Sequence, residues 1–370
     1  MVKKKILIVF GTRPEAIKMA PLIKELEKYP ENFEVKICVT AQHRQMLDQV
    51  LELFEIRPDF DLDIMKQDQD LYEITSKVLL GLRKVFSQYL PNFVFVHGDT
   101  TTTMAASLAA YYQKIPVVDI EAGLRTKNIY SPFPEEINRR LTSRIASYHF
   151  APTQRAKINL LHEGIDEKSI YVTGNTVIDA LFEVVKKLEN KDIRVNGYKV
   201  SERKFILVTG HRRENFGDNF SNICEALKNI AIANPQIDIV YPVHLNPNVR
   251  RPVLKILSNI SNIYLLNPLD YEPFIYLMSK CYFVITDSGG VQEEAPSLGK
   301  PVLVIRDETE RPEAIEAGTV KLVGTNKQVI IDEAQKLLDE KSEYQRMSMA
   351  HNPYGDGKAC SRIVKVLLYD

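Results

Sequence analysis

Residues 282–306 read YFVITDSGGVQEEAPSLGKPVLVIR. The apolar runs YFVITD (282–287) and KPVLVIR (300–306) have the length and composition of buried strands, and a helical pattern near 290–298 separates them. This order predicts a strand–helix–strand unit whose two strands lie parallel in one sheet. Repeats of this unit build a doubly wound α/β domain.

The same alternation fills the chain in two series, which predicts two such sheets. Strands are predicted at 5–10, 34–40, 92–99 and 115–121, and again at 204–210, 236–242, 262–267, 282–287 and 300–306. Helices are predicted at 14–28, near 43–53, 70–89 and 101–113, and again near 218–233, 248–258, 271–280, 290–298 and 327–340. Because the chain has 370 residues, two domains are also the expected number.

The polar stretch 186–203 is the best linker candidate, and the amphipathic tail 359–368 is expected to cross back onto the first domain. We therefore predict an α/β protein with two Rossmann-like doubly wound domains that face a central cleft. The N-terminal domain comprises 1–185 plus 355–370, and the C-terminal domain comprises 186–354. Ligands of open α/β sheets bind beyond the carboxyl ends of the strands, so the cleft is the predicted site.

Composition excludes several classes of protein. Lys plus Arg and Asp plus Glu each number 48, so the basic excess typical of a general nucleic-acid binder is missing. The N-terminal apolar run, Ile6 to Phe10, is too short for a signal peptide, and no apolar stretch has the length of a membrane span. The four cysteines lack CxxC spacing. We expect a cytoplasmic protein with no nucleic-acid or membrane partner.

Polar motifs follow five of the predicted strands, at the carboxyl ends where ligands bind. Loop Gly and Asp often serve only turns and caps, but five motifs at equivalent positions favour a binding site. The motifs are Gly11-Thr12-Arg13-Pro14-Glu15, His97-Gly98-Asp99-Thr100, Glu121-Ala122-Gly123-Leu124-Arg125, Thr209-Gly210-His211-Arg212-Arg213 and Asp287-Ser288-Gly289-Gly290.

The motif Ser288-Gly289-Gly290 is a candidate anion site, because glycines admit a ligand close to the backbone and the following helix offers free N–H groups. The alternative is an ordinary helix start capped by Ser288. On the same helix, Glu294 or its neighbour has the oxygen pair that a ribose needs. Arg311 suits a phosphate, or else belongs to a surface ion-pair cluster.

Acids are concentrated in the first half. Asp99, Glu121 and Glu135 are candidates for a general base and a general acid, because carboxylates in one cleft can have separated pKa values. Arg13 and Lys18 add positive charge. In the second half, His211 is a candidate donor to a leaving group. His244 is either a second such group or a structural histidine at a strand end.

No nicotinamide fingerprint, P-loop or histidine cluster with metal spacing occurs in the chain. We therefore predict no metal and no separate cofactor. The nucleotide that such a fold binds is expected to be part of the substrate.

Taken together, these motifs resemble those of the non-hydrolysing UDP-N-acetylglucosamine 2-epimerase family. The resemblance covers the chain in order from Gly11 to Gly324. The matching stretches are GTRPEAIKMAPLI (11–23), HGDTTTT (97–103), EAGLRT (121–126), PFPEEINRR (132–140), GNTVIDAL (174–181), TGHRREN (209–215), YPVHLNPNVR (241–250), TDSGGVQEEAPSLGKPVLVIRDETERPE (286–313) and GTVKLVG (318–324).

The resemblance implies the two-lobed fold called GT-B, a homodimer, and anti-elimination of UDP to 2-acetamidoglucal followed by re-addition. It implies that UDP-N-acetylglucosamine becomes UDP-N-acetylmannosamine, a precursor for surface polysaccharide or glycan. The residues that match the family fall into three sets. They are the catalytic acids Asp99, Glu121 and Glu135; His211 and Arg13, which stabilise departing UDP; and the nucleotide contacts Ser288, Gly289, Gly290, Glu294 and Arg311, with Lys18 nearby.

Many bacterial members of the family have a second, regulatory site for UDP-N-acetylglucosamine. Gln42, Gln45, Arg212 and His244 match its residues, whereas Asp68 stands where the family has an arginine. This departure argues against regulation. Three other functions share much of the pattern: a hydrolysing epimerase, a GT-B glycosyltransferase and a non-catalytic sugar-nucleotide sensor.

Overall fold

The structure is a computed structural model that describes residues 3–41, 44–66, 69–126, 128–189, 191–200 and 203–369. The chain divides into two compact units. The first consists of Met1–Glu183 together with Tyr354–Asp370, and the second consists of Val184–Pro353.

The first unit is built on a seven-stranded parallel sheet in the order β3-β2-β1-β4-β5-β6-β7. Its strands are β1 (Lys4–Phe10), β2 (Phe33–Val39), β3 (Phe60–Asp61), β4 (Phe93–His97), β5 (Val117–Ile120), β6 (Tyr148–Ala151) and β7 (Ile170–Val172). Its helices are α1 (Arg13–Glu27), α2 (Arg44–Leu53), α3 (Leu71–Gln88), α4 (Thr101–Tyr112), α5 (Glu135–Ile145), α6 (Gln154–His162) and α7 (Thr176–Leu188), the last of which continues into the second unit.

The second unit is built on a six-stranded parallel sheet in the order β12-β11-β10-β13-β14-β15. After the short hairpin β8 (Arg194–Val195) and β9 (Tyr198–Lys199), its strands are β10 (Phe205–Thr209), β11 (Asp238–Pro242), β12 (Ile263–Leu266), β13 (Phe283–Thr286), β14 (Val302–Val304) and β15 (Val320–Leu322). Its helices are α8 (Asp218–Ala233), α9 (Pro247–Leu257), α10 (Tyr271–Lys280), α11 (Gly289–Ser297), α12 (Pro312–Glu316), α13 (Lys327–Asp339) and α14 (Lys341–Ser348).

The central strands are buried on both faces, which is why their sequences are apolar without alternation. Every side chain from Ile6 to Phe10 in β1 is fully buried, as are those from Phe283 to Ile285 in β13. Parallel strands covered by helices on both sides require this pattern. The predicted class, two Rossmann-like domains with parallel sheets, is confirmed.

The final helix, α15 (Ala359–Tyr369), belongs to the first unit and packs on α1. Its first backbone N–H groups, those of Ala359 and Cys360, donate to the two oxygens of Asp179 at 3.1 and 3.0 Å. Near its other end, Lys4 Nζ donates to the Leu367 carbonyl at 2.8 Å. Asp179 therefore satisfies the helix start and fixes where the chain returns to the first unit.

Several elements differ from the sequence prediction. The strands β6 and β7 were not predicted, because they are three or four residues long and His149 interrupts the apolar character of β6. The expected linker contains the end of α7 and the β8–β9 hairpin. The helix α11 spans Gly289–Ser297, one residue earlier at each end than the predicted range 290–298. No helix within the described residues is long and apolar enough to cross a membrane.

Candidate functional site

The loop after β1 is held by a buried carboxylate, Glu15. Its Oε2 accepts the backbone N–H groups of Gly11 and Thr12 at 2.9 and 2.7 Å, and its Oε1 accepts the hydroxyls of Thr100 and Thr103 at 2.6 and 3.0 Å. Burial raises the pKa of Glu15, although these hydrogen bonds oppose the increase. Glu15 thus ties the loop that carries Arg13 to the loop that carries Asp99.

Gly11 allows this loop to lie against the sheet. A Cβ at this position would collide with the Thr40 hydroxyl and would lie 2.8 Å from the hydroxyl of Thr102. These two hydroxyls are hydrogen-bonded to each other at 3.0 Å. Only glycine leaves room for the close approach of this loop to both of them.

Glu121 follows β5 directly and is the most strained carboxylate of the described site. Its φ of 67° lies in the left-handed region, which costs a non-glycine residue about 1–3 kcal/mol and is common at functional sites. Lys18 forms a buried ion pair with its Oε2, and Asn175 Nδ2 donates to the same oxygen at 2.7 Å. The sequence analysis did not single out Asn175 as a site residue.

His97 lies beside this carboxylate, with Nε2 3.9 Å from Glu121 Oε2. Its side chain is buried, and burial lowers its pKa to about 4, with Lys18 adding to the decrease and Glu121 opposing it. Nε2 has no hydrogen-bond partner within the part of the chain that the structure describes. The imidazole is therefore neutral at physiological pH and keeps one ring nitrogen available on the Glu121 side.

The other two predicted acids, Asp99 and Glu135, both involve helix α5: Glu135 is part of it, and two of its side chains contact Asp99. Arg139 forms an ion pair with the Asp99 carboxylate, and Asn138 Nδ2 donates to the Asp99 carbonyl at 3.0 Å. Glu135 is the first residue of the same helix, and its Oε2 is buried without a hydrogen-bond partner among the described residues. A buried carboxylate oxygen without a hydrogen-bond donor lowers the stability of the fold. A role in ligand binding therefore explains Glu135 better than a structural role does.

A further buried carboxylate, Asp119, lies on β5, two residues before Glu121. Burial raises its pKa to about 8, the nearby charges of Glu121 and Asp99 add to the increase, and Arg125 opposes it. Its Oδ2 accepts the Ser143 hydroxyl at 3.2 Å. Asp119 was not singled out from the sequence, because it stands within an apolar strand and belongs to no motif.

In the second unit, the N-terminus of α11 has the features of an anion site. Ser288 is the N-cap residue, but its side chain makes no capping bond, so the alternative of an ordinary serine cap is not observed. Gly289 is the first helical residue, and a Cβ there would lie 3.6 Å from the Arg311 guanidinium. The helix start and the guanidinium of Arg311 thus lie close together, and a Cβ at position 289 would stand between them.

Two glutamates of α11 have separate partners. Glu293 forms a buried ion pair with Arg311, and Tyr271 Oη donates to Glu294 Oε1 at 2.7 Å. The other oxygen of Glu294 lies 3.8 Å from the point where a Gly290 Cβ would stand. The ribose contact of Glu294 stays a prediction.

His211 and His244 form a stacked pair, with ring centroids 5.6 Å apart and ring planes at 20°. Asp287 lies beside His211 and accepts the backbone N–H groups of His211 and Arg212 at 2.7 and 2.8 Å. His244 is exposed and its Nδ1 accepts the Asn246 N–H at 3.1 Å. The two histidines that the sequence placed at strand ends are thus brought together.

The remaining predicted residues are less constrained. Arg13 is half-buried at the start of α1, and Arg212 has its Nε buried without a hydrogen-bond partner in the described part of the chain. Gln42 and Asp68 lie outside the described residues, as does the side chain of Gln45. Within the described ranges, no group of three or more His, Cys, Asp and Glu side chains has the arrangement of a metal site.

These features define the class of the protein. Each unit is a Rossmann-like domain with polar loops at the carboxyl ends of its strands. The first has three candidate acids, and the second has a helix start that is a candidate anion site. This is a GT-B type α/β protein whose candidate site combines carboxylates with cationic and backbone N–H groups.

Comparison with known proteins identifies the family. A family model described as UDP-N-acetylglucosamine 2-epimerase matches residues 24–368. The UDP-N-acetylglucosamine 2-epimerase of Campylobacter jejuni is 61% identical over 375 residues, covering 99% of this chain and 97% of the relative. That of Escherichia coli strain K12 is 58% identical over 369 residues, covering 98% of each.

A solved structure shows the same fold. The crystal structure of UDP-GlcNAc 2-epimerase from Neisseria meningitidis bound to UDP-GlcNAc has 53% sequence identity and a TM-score of 0.90, covering 99% of this chain and 100% of the other. The chain belongs to the UDP-N-acetylglucosamine 2-epimerase family, and the resemblance inferred from its motifs is confirmed.

Proposed function

We propose that the protein reversibly inverts C2 of UDP-N-acetylglucosamine, giving UDP-N-acetylmannosamine without hydrolysis. The observation that carries this proposal is Glu121, a buried carboxylate in a strained backbone, paired with Lys18 and next to the unpaired nitrogen of His97. Such a group is suited to abstract or return a proton. Relatives that bind UDP-GlcNAc support the choice of substrate.

The chemistry of the substrate explains why UDP must depart. The C2 proton lies next to an acetamido nitrogen and not next to a carbonyl carbon, so direct deprotonation faces a large barrier. When the bond between C1 and the diphosphate oxygen breaks, that oxygen keeps the electron pair and C1 gains oxocarbenium character. A carboxylate can then take the C2 proton, leaving 2-acetamidoglucal. Re-addition of UDP after a proton reaches the opposite face of C2 completes the inversion.

The two units supply complementary groups for these steps. In the first, Asp99, Glu121 and Glu135 exchange protons at the sugar. In the second, the backbone N–H groups at Gly289 and Gly290, with Ser288 and Arg311, hold the diphosphate. Glu294 binds the ribose, while His211 and Arg13 stabilise the departing UDP.

Proton exchange with solvent tests the proposal. In deuterated water, NMR should show deuterium at C2 of both sugar nucleotides, because each inversion replaces the C2 proton. Asp99→Asn and Glu121→Gln should each lower kcat about a hundredfold or more, the scale of acid–base catalysis. Product without deuterium would indicate internal hydride transfer or proton return without exchange. Hydride transfer would rule the mechanism out, and detection of 2-acetamidoglucal would distinguish the two.

The same time course separates the alternatives. A hydrolysing epimerase would release free N-acetylmannosamine and UDP, a glycosyltransferase would turn over only with an acceptor, and a sensor would leave the substrate unchanged. We propose that the enzyme acts in the cytoplasm as a homodimer and that its product serves surface polysaccharide or glycan synthesis.

We further propose that the enzyme is not activated by its own substrate. An aspartate at position 68 would repel a second diphosphate at a cost of about 1 kcal/mol or more. UDP-N-acetylmannosamine alone should therefore be converted with hyperbolic kinetics, and Asp68→Arg should make the kinetics sigmoidal. An enzyme inert towards the manno substrate until the gluco substrate is added would contradict this proposal.

A further inference from the structure

The Asp287 carboxylate is held in one orientation by the backbone. Asp287 follows β13, and β10 lies beside that strand with Thr209 opposite Thr286. The side chain is fully buried, and its Oδ2 accepts two N–H groups, those of His211 at 2.7 Å and Arg212 at 2.8 Å. Two donors on one oxygen leave the other oxygen, Oδ1, with a fixed direction.

Oδ1 faces the side chain of His211. It lies 3.3 Å from His211 Nδ1, and it has no hydrogen-bond partner among the described residues. A buried carboxylate oxygen is costly unless a donor reaches it, and a small rotation of the imidazole would align Nδ1–H with it. Hydrogen bonds at catalytic sites are commonly long without a ligand and shorten when it binds.

We propose that Asp287 is a positioning residue that holds the proton of His211 on Nδ1 and stabilises the cationic ring. Nε2, on the opposite edge of the imidazole, is then directed away from the carboxylate and serves as the charged donor to the departing diphosphate. This inference rests on the proposed function only for the identity of that ligand, since the contacts themselves are present without it.

The electrostatic surroundings of His211 show why such a residue is needed. Burial lowers the pKa of His211, and the charges of Arg212 and His244 lower it further, whereas the Asp287 carboxylate opposes the decrease. Asp287 is the one group among these that favours the protonated ring, so its removal would lower the pKa of His211 further. When the C1–O bond breaks, the diphosphate oxygen keeps the electron pair, and a charged Nε2–H is a stronger donor to it than a neutral one.

The first test uses the unmodified enzyme and requires no turnover. In protein with ¹⁵N-labelled histidine, the His211 ring signals are assigned by their absence from His211→Asn. Above the pKa of the ring, the proton should be found on Nδ1, the form that neutral histidine disfavours in water. A proton on Nε2 would refute the proposal, whether or not the enzyme is an epimerase.

The second test is Asp287→Asn. The two backbone N–H groups can be accepted only by the carboxamide oxygen, so the NH₂ group must face His211 Nδ1. The ring proton should then move to Nε2, the imidazolium should titrate at lower pH, and kcat at neutral pH should fall about tenfold, the equivalent of one pKa unit. An unchanged titration of His211 would contradict the proposal.

A double variant separates positioning from support of the backbone. If Asp287 acts through His211, adding Asp287→Asn to His211→Asn should change kcat less than about twofold, because coupled residues are not additive. An equal loss in both backgrounds would mean that Asp287 only supports the loop, and the proposal would be wrong. Should Asp287→Asn not fold, the tautomer in the unmodified enzyme still decides the question.

Discussion

The carboxylate of Glu15 accepts a hydrogen bond from the hydroxyl of Thr100 at 2.6 Å across 85 residues of sequence. Because Glu15 also holds the backbone of Gly11 and Thr12, this bond fixes the loop after β1 against the loop after β4. Arg13 and Asp99, two predicted site residues, lie on these two loops. Their relative position therefore depends on a side chain that is 2% exposed.

We expect Glu15→Ala to lower the free energy of unfolding by about 3–5 kcal/mol, since the two backbone N–H groups and the Thr100 hydroxyl lose their carboxylate acceptor, whereas the Thr103 hydroxyl keeps the His97 carbonyl. Glu15→Gln should cost only about 1 kcal/mol, because the hydroxyls of Thr100 and Thr103 can rotate to accept the amide. Urea unfolding and kcat measure both effects. The control is Glu27→Gln, an exposed carboxylate on the same helix. Equal losses for Glu15→Gln and Glu15→Ala would contradict this account.

The ion pair between Lys18 and Glu121 gives a second prediction. Lys18→Gln removes the charge next to a buried carboxylate and should lower kcat/KM about ten- to hundredfold, the scale of losing a buried charged partner. Lys24→Gln on the same helix breaks a more exposed pair with Glu183 and should change kcat/KM less than about twofold. Similar losses in the two variants would show that the charge at position 18 has no special role.

Much of the fold and part of the site could be predicted from the sequence. Buried parallel strands produce apolar runs such as Ile6–Phe10, and their carboxyl ends locate the polar motifs. The strands β6 and β7, at one side of the first sheet, were missed because short strands with mixed side chains lack that signal. The roles of Glu15 and Asp287 were missed although both stand in the quoted motifs, since their partners are backbone N–H groups or residues distant in sequence.

The helix start at Gly289 gives a third prediction. In Gly289→Ala the added Cβ would lie 3.6 Å from the Arg311 guanidinium, an ordinary contact, and alanine favours helix over glycine. The protein should therefore fold with an unchanged or higher Tm. The methyl group would occupy the space that a phosphate needs, so calorimetry should show UDP binding weakened about tenfold or more. Unchanged affinity for UDP would place the diphosphate elsewhere.

Asp119 gives a prediction about pH. Its pKa is 3.8 in the unfolded reference and about 8 in the folded protein, so between these values the folded state holds a proton that the unfolded state has lost. The free energy of unfolding therefore falls as pH rises from 3.8 to about 8, by up to about 1.4 kcal/mol per pH unit from this group.

Asp119→Asn removes that titration. The stability of the variant relative to the unmodified protein should increase from pH 4 to pH 8, the interval between the two pKa values. Denaturant unfolding at several pH values measures the difference, and Asp192→Asn, at an exposed carboxylate, should show no such trend. A relative stability that does not vary with pH would mean that Asp119 is already ionised in the folded protein.

Catalysis should need neither metal nor nicotinamide, because carboxylates and cationic side chains supply every step of the proposed reaction. Exhaustive dialysis against a chelator should leave kcat unchanged, as measured by NMR of the sugar nucleotides. Activity lost on dialysis and restored by a divalent ion or by NAD would contradict this expectation.

The return of α15 to the first unit has a consequence for the order of folding during synthesis. Its buried side chains, which include Ile363, Val364 and Leu367, complete the core against α1. Until α15 forms, the Asp179 carboxylate lacks the N–H groups of the first turn of that helix. On the ribosome, domains commonly fold in the order in which they are made. Here residues 184–353 emerge, and can fold, before the segment that completes the first unit exists. Until α15 has left the ribosome, the apolar surface of α1 that it covers stays exposed and can aggregate.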